Sequence, residues 1–246
     1  MAGNSSAPGA TVTSRALALL GAFDDRHRRL TLTQLAERAG LPAPTAHRLV
    51  GELVAWGALA RVDGCYVVGR RIWDLGLLAP VQSDLRALAS PYLHDLYGAT
   101  LATVHLAVRD GTEVLYLDRL AGHASVPVVS SVGSRLPLHA TGVGKVLLAH
   151  APPEVQRAVL ADLPRLTAYT ITQPGLLGRQ LARILREDHA TTSEEMSLGA
   201  CSIAVPIRRG PDVVAALGIV VPSLKDRARL AGALQVAARG IGRSLA

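Results

Sequence analysis

Along residues 13–23, TSRALALLGAF, the apolar positions Ala16, Leu17, Leu20 and Phe23 recur with helical spacing. The polar run DDRHRR breaks that helix. TLTQLAERAGL then predicts a second helix of about seven residues, capped by Thr31 or Thr33. Thr31 and Gln34 are spaced for a capping box, and Gly40 supplies a stop. LPAPTAHRLVGELVAWG predicts a third helix, with Pro44 in its first turn and its end at Gly57. On a helical wheel Ala46, Leu49, Val50 and Leu53 share one arc of roughly 100°, while Pro44, His47, Arg48 and Gly51 lie opposite. The period then changes to that of strands. ALARVDGCYVVGRR holds two short runs around Asp63-Gly64, a strong hairpin signal.

RIWDLGLLAPVQSDLRALASPYLHDLYGAT reads as helical, with interruptions at Ala79-Pro80 and Ser90-Pro91. TLATVHLAV and TEVLYLDRL, joined at Asp110-Gly111, predict a second hairpin, and ASVPVVSS a further strand. Helices are expected near 153–160 and 174–187. ACSIAVPIRR and VVAALGIVVP flank Gly210-Pro211-Asp212 as a third hairpin, and a helix over about 224–244 closes the chain. This order implies an antiparallel sheet with helices to one side or at the ends, an α+β pattern.

Composition sharpens the picture only a little. Aromatic residues make up 3% of the chain, so the core must be aliphatic. The net charge of +7 and pI near 10.1 suit an anionic partner such as nucleic acid, or solubility alone. Residues 1–80 carry nine Arg against six acids, and residues 81–246 seventeen Lys and Arg against thirteen, so neither part is strongly basic. Two cysteines, Cys65 and Cys201, make no disulfide framework and fit a reduced, cytoplasmic protein. MAGNSSAPGA, residues 1–10, has no basic start or apolar core of a signal peptide and reads as a disordered lead-in. The apolar run VVAALGIVV is about half the length of a membrane helix.

Two short helices joined by AGLPA have the length and turn chemistry of a helix-turn-helix, and a hairpin directly after them makes a winged helix. The exposed face of the third helix, with His47 and Arg48, suits a major groove. No side chain caps that helix ahead of Pro44, so its free N–H groups suit a phosphate. Arg61, Arg70 and Arg71 put positive charge on or beside the wing.

LPLHATGVGKVLLA, residues 136–149, first suggests a phosphate cradle. A P-loop needs Gly at 139 and Ser or Thr after Lys145; the chain has His139 and Val146. The stretch is instead a tight glycine corner at a helix start, able to meet an acidic group, with Lys145 a surface or ion-pair residue. No histidine or cysteine pair has zinc-ligand spacing, no G-x-S-x-G elbow occurs, and the sequence implies no catalytic residue, metal or cofactor. Cys201 reads as a small strand residue, and His105 as a satisfied core or rim residue. Of Glu194-Glu195 at most one faces any pocket, with a cap or ion pair as the default role.

SRALALLGAF, LTQLAERAGLPAPTAHRLVGELVAWGAL and GRRIWDLG, then LPLHATGVGKVLLA, Glu194-Glu195, GACSIAVPI and ALGIVVP, resemble the IclR (isocitrate lyase regulator) family of bacterial transcription regulators over nearly the whole chain. The resemblance implies a winged helix-turn-helix over 11–71, a linker helix over 72–90 and a GAF-like effector-binding domain over 91–246. It places Thr45, His47 and Arg48 on the recognition helix and Arg15 against the DNA backbone. With Thr33, Pro44 and Arg61 these are the expected DNA contacts. Where the family usually has Lys-Ser or a similar polar pair, this chain has Ala43-Pro44, which removes two phosphate or base contacts. Leu136, Ala140, Gly142, Thr192, Ser202, Gly218 and Val220 are the expected effector contacts. Members that bind small carboxylates often carry hydroxyls on the last strand. Gly218 and Val220 replace them here, so the expected pocket is roomier and less polar, for an organic acid or aromatic metabolite larger than a keto acid. The resemblance also implies a homodimer or tetramer on a pseudo-palindromic operator. Two other readings stay open: an enzyme whose helical bundle binds nothing, and an effector-independent architectural DNA binder.

Overall fold

The computed structural model describes residues 11–24, 26–76, 78, 83–122, 125–126 and 128–245. They form two compact units, one within 1–81 and one within 82–246. The lead-in at 1–10 and the expected break at Ala79-Pro80 lie outside the described residues.

The first unit is built by local rules. It comprises α1 (Val12–Leu20), α2 (Leu32–Arg38), α3 (Ala43–Trp56), β1 (Leu59–Val62), β2 (Cys65–Val68) and α4 (Arg70–Gly76). Thr31 caps α2, and its side chain and that of Gln34 make both bonds of the capping box. Gly57 ends α3 in the left-handed conformation, at φ 85°. β1 and β2 pair antiparallel from Leu59↔Val68 to Val62↔Cys65. Asp63 and Gly64 both have positive φ, as a two-residue hairpin turn requires. Leu30 and Tyr66 exchange backbone bonds of 3.0 and 2.7 Å, tying the wing to the segment before α2. Leu19, Leu35, Ala46, Leu49, Val50 and Leu59 form the core. One expectation fails: Leu17 is exposed, and Leu19 is buried in its place. The helix stops at Leu20, but Leu20 and Phe23 still pack against the core, and the turn at Gly21 brings Ala22 inward as well.

The second unit holds a six-stranded antiparallel sheet in the order β5-β4-β3-β8-β7-β6. Its strands are β3 (Thr103–Asp110), β4 (Glu113–Leu120), β5 (Arg135–Pro137), β6 (Ala190–Ser193), β7 (Cys201–Arg209) and β8 (Asp212–Val221). Its helices are α5 (Ser83–Thr100), α6 (Gly142–Ala149), α7 (Pro153–Ala161), α8 (Pro174–Glu187) and α9 (Arg227–Ser244). Helices cover both faces, not one side. β3, β7 and β8 are buried over runs of five or six successive residues, and such strands need cover on both faces. Successive residues go to opposite faces. Val104, Leu106, Val205, Leu217 and Ile219 meet α5 and α9, whereas Ala107, Ala204 and Ala216 meet α6 and α8. One face is therefore floored with large side chains and the other with small ones.

Two further expectations are corrected. Ser90-Pro91 does not interrupt a helix: α5 runs through it, with Pro91 on its exposed side. An internal proline costs about 3 kcal/mol. Burying Leu85, Leu93 and Leu96 against the sheet returns roughly 1.5–3 kcal/mol apiece and wins. In ASVPVVSS the described residues form no strand. The edge of β4 is already taken by β5, through Glu113↔Pro137, Val114↔Leu136 and Leu115↔Arg135. The β3–β4 turn also sits one residue later than expected, since Asp110 pairs with Glu113 around Gly111-Thr112.

The glycine corner explains why α6 sits so close to the sheet. All eight of its residues are buried. A methyl group at Gly144 would strike the Leu138 carbonyl and the Thr141 hydroxyl, which caps the helix through the Gly144 N–H. Gly144→Ala is expected to lower stability by about 1–3 kcal/mol, as overpacking does. Gly178→Ala in α8, with no neighbour within 4 Å, should instead raise it by roughly 0.5–1 kcal/mol. Urea unfolding of the two variants checks both signs.

Candidate functional site

In the first unit α3 presents Pro44, His47, Arg48 and Gly51 to solvent, with Thr45 half-buried. Its first turn has no side-chain cap, and Pro44 lacks an N–H, so Ala43 and Thr45 carry the free ones. Thr33 is exposed in the first turn of α2, and Arg61 is exposed on β1. Arg15 is half-buried on α1, and its Nε has no hydrogen-bond partner among the described residues. The sequence reading missed that Arg48 is paired with Glu52, one turn along, at 2.7 Å. The pair is exposed, so it is worth only a few tenths of a kcal/mol and yields easily to a phosphate or base edge. Of the basic residues expected near the wing, Arg71 stacks on the Trp56 ring at 4.4 Å, and Arg70 lies 3.8 Å from Asp74. Arg29, not singled out from sequence, bonds Asp63 at the wing tip at 3.0 Å.

In the second unit a small cavity of about 50 Å³ opens between the small-residue face of the sheet and the start of α6. Leu136, Ala140, Thr192, Ser202, Gly218 and Val220 line it. Gly142 lies beside it: a methyl there would meet the Ser202 hydroxyl at 2.5 Å. All seven expected effector contacts thus gather at one place. The register explains how. Thr192 pairs with Ser202 and Ser202 with Val220, so one row crosses β6, β7 and β8. Thr192 and Ser202 share a hydroxyl–hydroxyl bond of 2.6 Å. The space that Gly218 leaves is partly taken by Val143, whose methyl lies 2.7 Å from where a β-carbon would be.

Other lining residues were not predicted. His105, expected in the core or at its rim, faces this cavity. It shares a 2.7 Å hydrogen bond with Ser130 and meets the Tyr116 ring edge-on at 4.9 Å. Burial, helped by the charge of Arg119, pulls the His105 imidazole down to about 3, so it is neutral. Burial pushes the Tyr116 phenol well above its usual value, against an opposing hydrogen bond with Thr141. Among the described residues no Lys, Arg, Asp or Glu lines the cavity, whose side-chain polar groups include hydroxyls and one neutral imidazole. His105 alternates with Ala107 along an apolar strand, which was the one signal available; Tyr116 and Ser130 gave none.

Lys145 is not at the surface. It is fully buried and spends all three donors, on Gln180 Oε1 at 2.7 Å and on the two Glu195 oxygens at 2.6 and 2.7 Å. Burial pulls the lysine down and pushes the glutamate up, and their mutual attraction opposes both shifts. Thr170 donates to the Glu195 carbonyl and Thr167 to that of Glu194, both at 2.7 Å. These bonds fix the loop that carries Met196 and Ser197 over the cavity. Cys201 is buried on β7, as a small strand residue should be. Among the described residues no cluster of His, Cys, Asp or Glu is placed to hold a metal ion, and no helix is long and apolar enough to cross a membrane.

A winged helix in one unit and a hydroxyl-lined cavity in the other point to a DNA-binding regulator that responds to a small molecule. Comparison with known proteins agrees. The IclR helix-turn-helix domain model matches residues 12–63, and that of the bacterial transcriptional regulator IclR C-terminal domain matches 79–243. The chain belongs to the IclR family of bacterial transcriptional regulators. It is 31% identical over 240 residues to the HTH-type transcriptional regulator XynR of Escherichia coli K12, covering 94% of this chain and 95% of that one. It is 33% identical over 201 residues to the p-hydroxybenzoate hydroxylase transcriptional activator of Acinetobacter baylyi, covering 79% and 74%. Its fold matches the crystal structure of an IclR homolog from Microbacterium hydrocarbonoxydans, complexed with 4-hydroxybenzoate, with TM-score 0.92, 37% identity and coverage of 96% and 99%.

Two measurements test this site. Lys145→Met leaves Glu195 buried and unpaired and should cost about 3–5 kcal/mol, most of it recovered in Lys145→Met/Glu195→Leu. His105 binds a proton near pH 6.5 when unfolded but only near 3 when folded. The unfolded chain therefore binds more protons across that window, and stability falls as pH drops through it, by up to about 1.4 kcal/mol per unit from this group. Urea midpoints at pH 7, 6 and 5 should fall less steeply in His105→Gln.

Proposed function

We propose that the chain is a homodimeric or tetrameric, non-enzymatic cytoplasmic regulator whose operator affinity is set by an aromatic acid bound in the cavity of the second unit. Residues 11–71 are the DNA-binding domain, 72–90 the linker and 91–246 the effector domain. α3 enters the major groove, where His47, Arg48 and Thr45 meet base edges or phosphates. Arg15, Thr33, Pro44 and Arg61 meet the backbone. A two-fold protein reads a pseudo-palindromic operator.

The observation that carries the effector class is the cavity's charge. With no cationic side chain in its lining among the described residues, a carboxylate is held by the Gly142 and Val143 N–H groups at the start of α6, beside Ser202. Valine, leucine and isoleucine side chains make up much of the remaining wall and suit a ring. The ligand named for the Microbacterium structure is such an acid, and the Acinetobacter regulator is named for p-hydroxybenzoate hydroxylase. An effector that prefers one arrangement of the subunits changes operator affinity by the ratio of its affinities for the two.

Arg48→Ala is expected to weaken binding to the DNA upstream of the protein's own gene by about 1–3 kcal/mol in a gel shift, with its circular dichroism unchanged. In a thermal-shift series 4-hydroxybenzoate should raise the melting temperature and alter that gel shift. Stabilisation by two- and three-carbon keto acids alone overturns the aromatic reading.

A further inference from the structure

The cavity has polar groups at two separate places. One is the Gly142–Ser202 end, where the carboxylate is assigned. The other is His105, whose role nothing above explains. It is 4% exposed and lines the cavity, yet Ser130 engages only one of its ring nitrogens. The second nitrogen has no protein partner among the described residues. A polar atom in a cavity wall that a ligand covers without pairing costs roughly 1–3 kcal/mol, so a ligand seated against His105 must pair with this nitrogen.

The sheet register supplies a ruler. His105 on β3 pairs with Gly218 on β8, and Ser202 on β7 pairs with Val220 on β8. His105 and Ser202 therefore stand two strands and two residues apart on one face of the sheet, roughly 12 Å between α-carbons. A ring with substituents at opposite positions, hydrogen-bonded at each end, spans about that distance. Gly218 lies beside His105 on β8, and Val143 takes part of the space that a side chain there would fill.

We propose that His105 selects the effector by hydrogen-bonding a hydroxyl on the ring, opposite the carboxylate. The inference rests on the aromatic-acid reading. A hydroxyl both donates and accepts, so it satisfies the free ring nitrogen in either tautomer. A methyl or hydrogen at that position leaves the nitrogen unpaired. Because the imidazole stays neutral, the contact does not depend on pH between 5 and 8.

Titration calorimetry on the full chain with 4-hydroxybenzoate and with benzoate tests this. The intact protein should bind the hydroxy acid at least about tenfold more tightly. His105→Phe should bring the ratio close to one while benzoate binds as before, and His105→Gln, which keeps an acceptor and a donor, should restore part of it. A ratio near one in the intact protein overturns the assignment without using any variant. A ratio that persists in His105→Phe overturns it equally. If neither acid binds, the aromatic-acid reading falls and takes this inference with it; if both bind without discrimination, only the role of His105 falls.

Discussion

Helix α6 has no solvent-facing side, and the rest of the effector unit is arranged around that fact. A helix buried all round must approach its neighbours closely and must bring a partner for any charge it carries. Gly142 and Gly144 meet the first demand, since a side chain at either would strike Ser202 or Leu138. The small floor of Ala107, Ala204, Ala216 and Gly218 meets it from the sheet side. Glu195 and Gln180 meet the second by enclosing the Lys145 ammonium. The same arrangement leaves the first turn of α6 next to a cavity, with Thr141 capping the Gly144 N–H. The cavity is a by-product of how the helix has to pack.

The two units obey different physics. In the winged helix, caps, stops and turn residues act over three or four positions, and most of its outline was legible in the sequence. Thr31 with Gln34, Gly57, and Asp63-Gly64 each did what local rules require. The misreading of Leu17 for Leu19 falls inside α1, where leucines point to more than one side and packing against the other helices decides which is buried. In the effector unit the errors share another cause. Pro91 stays inside α5 because sheet packing outweighs a local penalty, and ASVPVVSS forms no described strand because the edge it would need is occupied. Neither fact is present in a short window of sequence.

The candidate effector residues were placed by resemblance, and the register shows why they belong together. Thr192, Ser202 and Val220 are far apart in sequence but form one row across three strands. His105 joins the site through the pairing of β3 with β8, which links segments more than a hundred residues apart. Spacing along the chain carries no trace of that neighbourhood.

What the sequence determined by itself was the set of elements and the kind of protein: the helix-turn-helix, the wing, the hairpins and the glycine corner follow from residue types at short spacing. Tertiary structure alone decided which charges are buried and which residues share a cavity. Lys145 read equally well as a surface residue or an ion pair until Glu195, fifty residues away, closed over it. His105 read as a core or rim residue until the sheet turned its face toward the start of α6. Burial and pairing are properties of what the rest of the chain brings alongside, and no local pattern can encode them.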